Sequence, residues 1–286
     1  MERKKVTIQD LQAKKKEGKK ITMLTAYDCA MASFIDQAGI DMILVGDSVG
    51  MVVLGYDSTV PVTMEEMIHH CKAVRRGMRF AFLVGDMPFM SYNISREEAI
   101  RNAGRFMKES GCDAVKLEGG GEVAETIKAI VEAGIPVVAH IGLTPQTAGK
   151  LGGFRVQGKD LASARKLLDS ALAIEEAGAF SVVMECIPDK LAGLISQSLR
   201  IPTIGIGAGP ECDGQVLVTN DLLGLFEKFL PKFVKQYVQF FPMIKEALAT
   251  YKQEVETGTF PGPEHSFVMD GQELRGLKDK KKGQKK

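Results

Sequence analysis

No stretch of this chain approaches the run of about 18 apolar residues that a membrane-spanning helix needs, and nothing apolar follows the charged opening Met1-Glu2-Arg3-Lys4-Lys5. The expectation is a chain with neither a span nor a secretory signal. Its five cysteines, Cys29, Cys71, Cys112, Cys186 and Cys212, form no C-x-x-C pair. An odd, scattered set excludes a disulfide framework and a zinc knuckle. It fits small buried side chains in a reducing, cytoplasmic setting. Walker A, G-x-S-x-G and H-E-x-x-H patterns are missing as well, which removes the P-loop, hydrolase-elbow and zincin readings.

Net charge is also lacking, with 37 basic against 36 acidic side chains in 286 residues. The balance hides two basic ends. Residues 1–20 carry eight Lys or Arg and residues 271–286 carry seven, which leaves residues 21–270 with a charge of −9. An acidic body does not offer the clustered cations that duplex binding requires, so neither nucleic acid nor membrane is expected as a partner. The Lys-rich segment 271–286 reads as a solvated, disordered tail.

What is present is ordinary globular composition, 45% hydrophobic and 26% charged, arranged as alternating apolar and amphipathic runs. Strand-like runs fall at Ile21–Ala26, Met42–Gly46, Phe80–Gly85, Ala114–Leu117, Val137–Ile141, Ser181–Glu185, Thr203–Ile206 and Val216–Thr219. Helix-like stretches between them include Met64–Arg76, Arg96–Ser110, Val123–Glu132 and Leu161–Glu176. Thr63 and Ser95 suit N-caps, and Gly77, Gly111, Gly134 and Gly178 suit C-caps. Eight strands alternating with helices predict a parallel sheet closed as a (β/α)8 barrel, in preference to an open doubly wound sheet. Residues 1–270 read as one such catalytic domain with helical additions at both ends, the last over Phe233–Val255.

Several strand candidates share one grammar. A glycine stops a helix, an apolar run follows, and an acid closes it: Asp47, Glu118 and Glu185, with Asp86 repeating the ending. In a parallel α/β fold the carboxyl ends of the strands lie on one face, where ligands bind. Like charges crowded there need a counter-charge. A hard divalent cation such as Mg²⁺ supplies it, because it takes oxygen ligands and leaves room for water and substrate. Lys116 and Glu118 stand two apart and share a strand face. They suit either an ion pair closing the barrel or a cation aimed at a substrate carboxylate. His140, ending the next strand, suits either a satisfied core residue or a catalytic one, whereas His69 and His70 sit in a helix and read as structural or exposed. The run Gly205-Ile-Gly207-Ala-Gly209 suits either a phosphate cradle or a tight turn.

Read together, certain stretches resemble a known family. They are Thr25-Ala-Tyr-Asp28, Leu44-Val-Gly-Asp-Ser48, Gly55-Tyr-Asp-Ser-Thr59, Asp86-Met-Pro-Phe-Met90, Lys116-Leu-Glu-Gly-Gly120, His140-Ile-Gly-Leu-Thr-Pro-Gln146, Glu185-Cys-Ile-Pro188, Ile204-Gly-Ile-Gly-Ala-Gly209 and Pro261-Gly-Pro-Glu-His-Ser-Phe267. The resemblance is to the ketopantoate hydroxymethyltransferase family and runs from about residue 6 to 267. It implies a (β/α)8 TIM barrel of the phosphoenolpyruvate mutase and isocitrate lyase superfamily, assembled as a homodecamer. It also implies transfer of a one-carbon unit from 5,10-methylenetetrahydrofolate to 3-methyl-2-oxobutanoate through a Mg²⁺-stabilised enolate, giving 2-dehydropantoate in pantothenate synthesis. Residue by residue, Asp47, Asp86 and Glu118 match the family's Mg²⁺ ligands. Ser48 and Lys116 match its ketoacid-binding residues, and Asp47, Asp86 and His140 are expected to bind substrate with them, His140 by orienting the network. Glu185 matches its proton acceptor. Lyases of the superfamily that resemble isocitrate lyase carry a Lys-Lys-Cys-Gly-His loop, which this sequence lacks. A silent barrel acting as an RNA or membrane adaptor through its basic ends is a third reading, disfavoured by the intact acids.

Overall fold

The computed structural model describes residues 3–149, 153, 155–227 and 230–275. Eight parallel strands close into a barrel in sequence order: β1 Ile21–Thr25, β2 Met42–Val45, β3 Phe82–Asp86, β4 Ala114–Glu118, β5 Val137–Gly142, β6 Ser181–Glu185, β7 Thr203–Ile206 and β8 Gly214–Leu217. The helices are α1 Ile8–Lys16, α2 Cys29–Gln37, α3 Val49–Val52, α4 Met64–Gly77, α5 Arg96–Ser110, α6 Ala124–Glu132, α7 Leu161–Glu176, α8 Asp189–Ser198, α9 Thr219–Leu222 and α10 Phe240–Thr257. The chain divides into two compact units, one running to Leu223 with a short segment ending at Tyr237, the other holding Gly224–Glu227 and everything from Val238. The second unit contains α10, stopped by Gly258 in the left-handed region, with Phe260 packed against Tyr251 and His265. The Lys-rich segment expected at 271–286 lies outside the described residues from residue 276 onward.

β2 to β7 form as read because they are buried on both faces, which selects near-continuous apolar runs, whereas β1 and β8 alternate, with Thr22 and Gln215 exposed. Two cores result. Inside the barrel, Met23, Met42, Leu44, Phe82, Val84, Val138, Val183 and Ile204 fill the lumen, and Leu11 of α1 closes its lower end. Outside it, the sheet packs on α2 and α4 through α8, with Phe106, Ile127, Ile130, Ile174 and Ile195 fully buried. Helix starts follow the expected chemistry, for Thr63 and Ser95 both accept from the backbone three residues on.

Some boundaries differ from the reading. β8 begins two residues earlier than expected and ends before Thr219, whose hydroxyl instead donates to the Thr25 carbonyl at 2.5 Å as α9 starts. Gly111, Gly134 and Gly178 adopt positive φ beyond their helices, as C-cap chemistry asks. Gly77 does not. It is the last residue of α4, and a Cβ there would overlap the Cys29 carbonyl oxygen, so glycine is needed for the close approach of α2 to α4.

The basic N-terminus is consumed within the fold. Lys5, Lys14 and Lys15 pair with Asp113, Asp41 and Asp213 at 2.6, 2.5 and 2.6 Å, three acids that each precede a strand at the lower rim. Asp36 at the end of α2 acts there too. It is buried and accepts hydrogen bonds from the backbone N–H groups of Arg79, Phe80 and Ala81 at 2.9, 3.1 and 2.7 Å. Asp36→Ala would strand three donors, so a loss of about 3 kcal/mol or more is expected in urea denaturation. A change below about 0.5 kcal/mol, the size of an ordinary surface substitution, would contradict that role.

Candidate active site

Strand register assembles the site at the carboxyl ends of neighbouring strands. Asp86 lies beside Lys116, Glu118 beside His140, and Gly142 beside Glu185. Gly142 permits the last pairing, since its φ is +96° and a Cβ would collide with the Glu185 carbonyl oxygen. Asp47 stands two residues beyond the end of β2, and its backbone N–H donates to Asp86 Oδ2 at 3.2 Å. Asp47, Asp86, Lys116, Glu118 and His140 are all buried. Ser48 stands at the start of α3 and shares a 2.8 Å hydrogen bond with the Tyr27 hydroxyl. All seven residues singled out from the sequence therefore lie at one end of the barrel. Of the two histidines read as structural or exposed, His69 is exposed, and His70 donates to the Tyr27 carbonyl at 2.7 Å.

Lys116 has a nearer partner than the one its spacing suggested. Its ammonium donates to both oxygens of Asp86 at 2.7 Å and stands 3.9 Å from Glu118. Burial opposes its charge, but Asp86, Glu118 and Asp47 together hold its pKa above the usual lysine range. His140 bridges two acids, with Nδ1 3.4 Å from Glu118 and Nε2 3.2 Å from Glu185. The ring nitrogens are poorly aligned for hydrogen bonds, so these are ion-pair contacts. Burial and the Lys116 charge push the imidazole down. The two carboxylates outweigh them and raise it to about 9, which makes it a cation at neutral pH. The Glu185 side chain is more open than those of Asp86, Lys116, Glu118 and His140, 15% exposed at the lip. Cys186, immediately after it, takes a left-handed φ of +49°, a strained setting for a non-glycine residue at the strand end.

The electrostatics leave a surplus of negative charge. Burial, then the charges of Asp86 and Glu118, raise Asp47 well above the ordinary carboxylate range. Burial also raises Asp86, with Lys116 pulling against it. Glu118 is lowered despite burial, because His140, Lys116 and the Gln146 N–H favour its anion. Hard oxygen donors that repel one another in a dry setting fit a divalent cation of the Mg²⁺ type. Among the described residues no three His, Cys, Asp or Glu side chains form a closed cage. Mg²⁺ commonly needs only one or two carboxylates besides water and substrate.

Two residues escaped the sequence reading. Gln146 and Tyr92 are buried and hydrogen-bonded into the carboxylates. Gln146 belongs to the Thr-Pro-Gln turn after β5, and nothing in hydropathy marks a buried amide there. The glycine run after β7 turns out to be conformational. Gly207 and Gly209 take φ of +63° and +79°, and a Cβ at either would collide with Phe233 or Asp189.

A (β/α)8 barrel with acids and one buried ammonium at the carboxyl ends of its strands has the architecture of a barrel enzyme, whose chemistry sits on that face. Comparison with known proteins narrows the class. The family model for ketopantoate hydroxymethyltransferase matches residues 5–263, and the chain belongs to that family. It is a transferase, similar to the 3-methyl-2-oxobutanoate hydroxymethyltransferase of Heliobacterium modesticaldum, with 61% identity over 274 residues covering 96% of this chain and 99% of that one. The fold is shared with solved barrels of low sequence identity, among them a member of the phosphoenolpyruvate mutase and isocitrate lyase superfamily. A phosphonopyruvate hydrolase solved with oxalate and Mg²⁺ superposes with a TM-score of 0.59 at 13% identity over 98% of this chain and 97% of that one. A 2,3-dimethylmalate lyase of the superfamily gives 0.52 at 16% over 97% of each. No helix among the described residues is long and apolar enough to cross a membrane.

Proposed function

We propose that the chain transfers a hydroxymethyl group from 5,10-methylenetetrahydrofolate to 3-methyl-2-oxobutanoate, giving 2-dehydropantoate for pantothenate and coenzyme A synthesis. The observation that carries this reading is the mouth cluster itself. Surplus carboxylate charge, one buried ammonium and a more open acid at the lip occur together in a member of this family. The Mg²⁺-and-oxalate complex of the phosphonopyruvate hydrolase supports the same cation, oxalate being a small dicarboxylate with adjacent oxygens.

Asp47 and Asp86 would hold the cation, with Glu118 as third acid. When bound it acts as a Lewis acid on the ketoacid's keto oxygen, an effect worth several kcal/mol of charge stabilisation. Lys116 supplies the positive charge that the ketoacid carboxylate needs, and the Ser48 hydroxyl, oriented by Tyr27, donates a hydrogen bond to the same substrate. Glu185 takes the carbon-3 proton as general base, worth roughly 10²–10⁴-fold. His140, a cation held between Glu118 and Glu185, fixes the direction in which Glu185 points. Carbon 3 then bonds to the methylene carbon of the folate as one of that carbon's two bonds to nitrogen opens. Water replaces the remaining carbon–nitrogen bond with the hydroxyl, so that tetrahydrofolate leaves carrying the proton taken from carbon 3 and one from water. A cytoplasmic homodecamer completes the proposal, and sedimentation would test the assembly.

The deciding experiment follows carbon 3 by NMR in deuterated buffer. The carbon-3 proton of 3-methyl-2-oxobutanoate should exchange in the presence of protein and divalent cation without any folate, and should stop exchanging when the cation is chelated. Exchange that ignores the cation would remove the metal from the reaction. A complete lack of exchange under both conditions would remove the base.

A further inference from the structure

Gln146 touches more of the carboxylate cluster than any other uncharged residue described. It sits in the short turn Pro145–Thr147 and is buried. Its side-chain Nε2 donates to Asp47 Oδ2 at 2.9 Å and to the Met87 carbonyl at 3.0 Å. Its backbone N–H donates to Glu118 Oε2 at 3.0 Å. Its Oε1 accepts from the Tyr92 hydroxyl at 2.6 Å. Tyr92 in turn lies 3.1 Å from the Glu118 carbonyl and accepts from the Glu118 N–H at 3.3 Å. Both amide hydrogens are therefore used, and one residue ties the acid after β2 to the acid ending β4.

The direction of the amide is over-determined. The Met87 carbonyl can only accept, so it must face the NH₂ group. A phenol that donates to Oε1 fixes the other end. Burial and the nearby carboxylates hold the Tyr92 hydroxyl far above its ordinary range, which keeps it a donor. With the amide locked, Asp47 presents Oδ2 to Gln146. Among the described residues no hydrogen bond reaches its other oxygen. Glu118 is likewise held by one oxygen, Oε2, while Oε1 faces His140 and Lys116.

We propose that Gln146 is a positioning residue that orients Asp47 and Glu118 to receive a divalent cation, with Tyr92 locking its amide. This rests on the metal site proposed above. Outer partners of this kind hold ligating carboxylates in direction, and their loss typically costs about 10- to 100-fold in metal affinity.

The test uses the full chain stripped of metal and titrated calorimetrically with Mn²⁺ alone, in wild type, Gln146→Met and Tyr92→Phe. Methionine keeps the length and unbranched shape of glutamine without the amide. The expected result for Gln146→Met is Mn²⁺ affinity weaker by about 10- to 100-fold, with kcat at saturating Mn²⁺ reduced less than the affinity. Tyr92→Phe should move the same way by a smaller factor, and it keeps the inference testable if Gln146→Met fails to fold. Affinity within twofold of wild type in the soluble variants overturns the positioning role, whether or not turnover is lost. A wild-type chain that binds no Mn²⁺ instead overturns the metal site beneath it, a distinguishable failure.

Discussion

Asp86→Asn is expected to abolish turnover while leaving the barrel folded. Asp86 is proposed to meet the cation and also holds the Lys116 ammonium most tightly, with both oxygens at 2.7 Å against 3.9 Å for Glu118. The amide removes the anionic ligand, so the several kcal/mol of Lewis-acid stabilisation should go with it, a fall of about 10³-fold or more. Folding is a separate matter. Burial already disfavours the Asp86 charge, and Asp47 and Glu118 are like-charged neighbours. A neutral isostere relieves that repulsion and still offers Lys116 one carbonyl acceptor, with Glu118 nearby. The alanine variant is a harsher change, because it leaves a buried ammonium short of a partner, a situation that costs about 3–5 kcal/mol in measured cases. Thermal melting should therefore rank asparagine well above alanine, with neither turning over substrate. Asparagine turnover within tenfold of wild type would defeat the assignment of Asp86 to the metal.

The sequence made the barrel readable because most strands are buried on both faces and several helices announce their start with a side-chain cap. Thr63 and Ser95 signal α4 and α5 from their own side-chain chemistry. The site was readable for a related reason. In a parallel barrel the end of a strand is also a place in space, so acids at strand ends converge whatever their separation along the chain. Asp86 beside Lys116, and Glu118 beside His140, follow from register alone. What hid was whatever depends on side-chain direction. Spacing suggested Glu118 as the partner of Lys116, but the ammonium reaches across to the neighbouring strand instead. Gln146 and Tyr92 leave no periodic trace, since a turn amide and a loop phenol look the same in sequence whether they face water or an acid. Gly77 misled for the same reason, because a glycine demanded by a close contact and one demanded by a helix cap are spelled alike. The basic N-terminus carried a charge signal but no address. Lys5, Lys14 and Lys15 find their acids at the lower rim only once the barrel has closed.

Glu185→Gln should separate binding from chemistry. The side chain ends β6 at the lip of the mouth, its Oε2 3.2 Å from His140 Nε2, and it is not among the residues proposed to hold the cation. An amide of the same shape leaves Asp47, Asp86, Lys116 and Glu118 untouched. Mn²⁺ and 3-methyl-2-oxobutanoate should therefore bind with affinities close to wild type, while exchange of the carbon-3 proton into deuterated solvent falls by about 10²–10⁴-fold. His140 sharpens the test. With its pKa raised to about 9 by Glu118 and Glu185 against burial and Lys116, it is protonated at neutral pH and holds no free lone pair to act as a base. Removing the Glu185 charge takes away one of the two carboxylates that raise the imidazole, so the ring should release its proton at a lower pH in the variant. Residual exchange that grows as pH rises past that point would identify His140 as a substitute base, a route closed in the wild-type chain. Exchange that persists at the wild-type rate at neutral pH would remove Glu185 from proton transfer altogether.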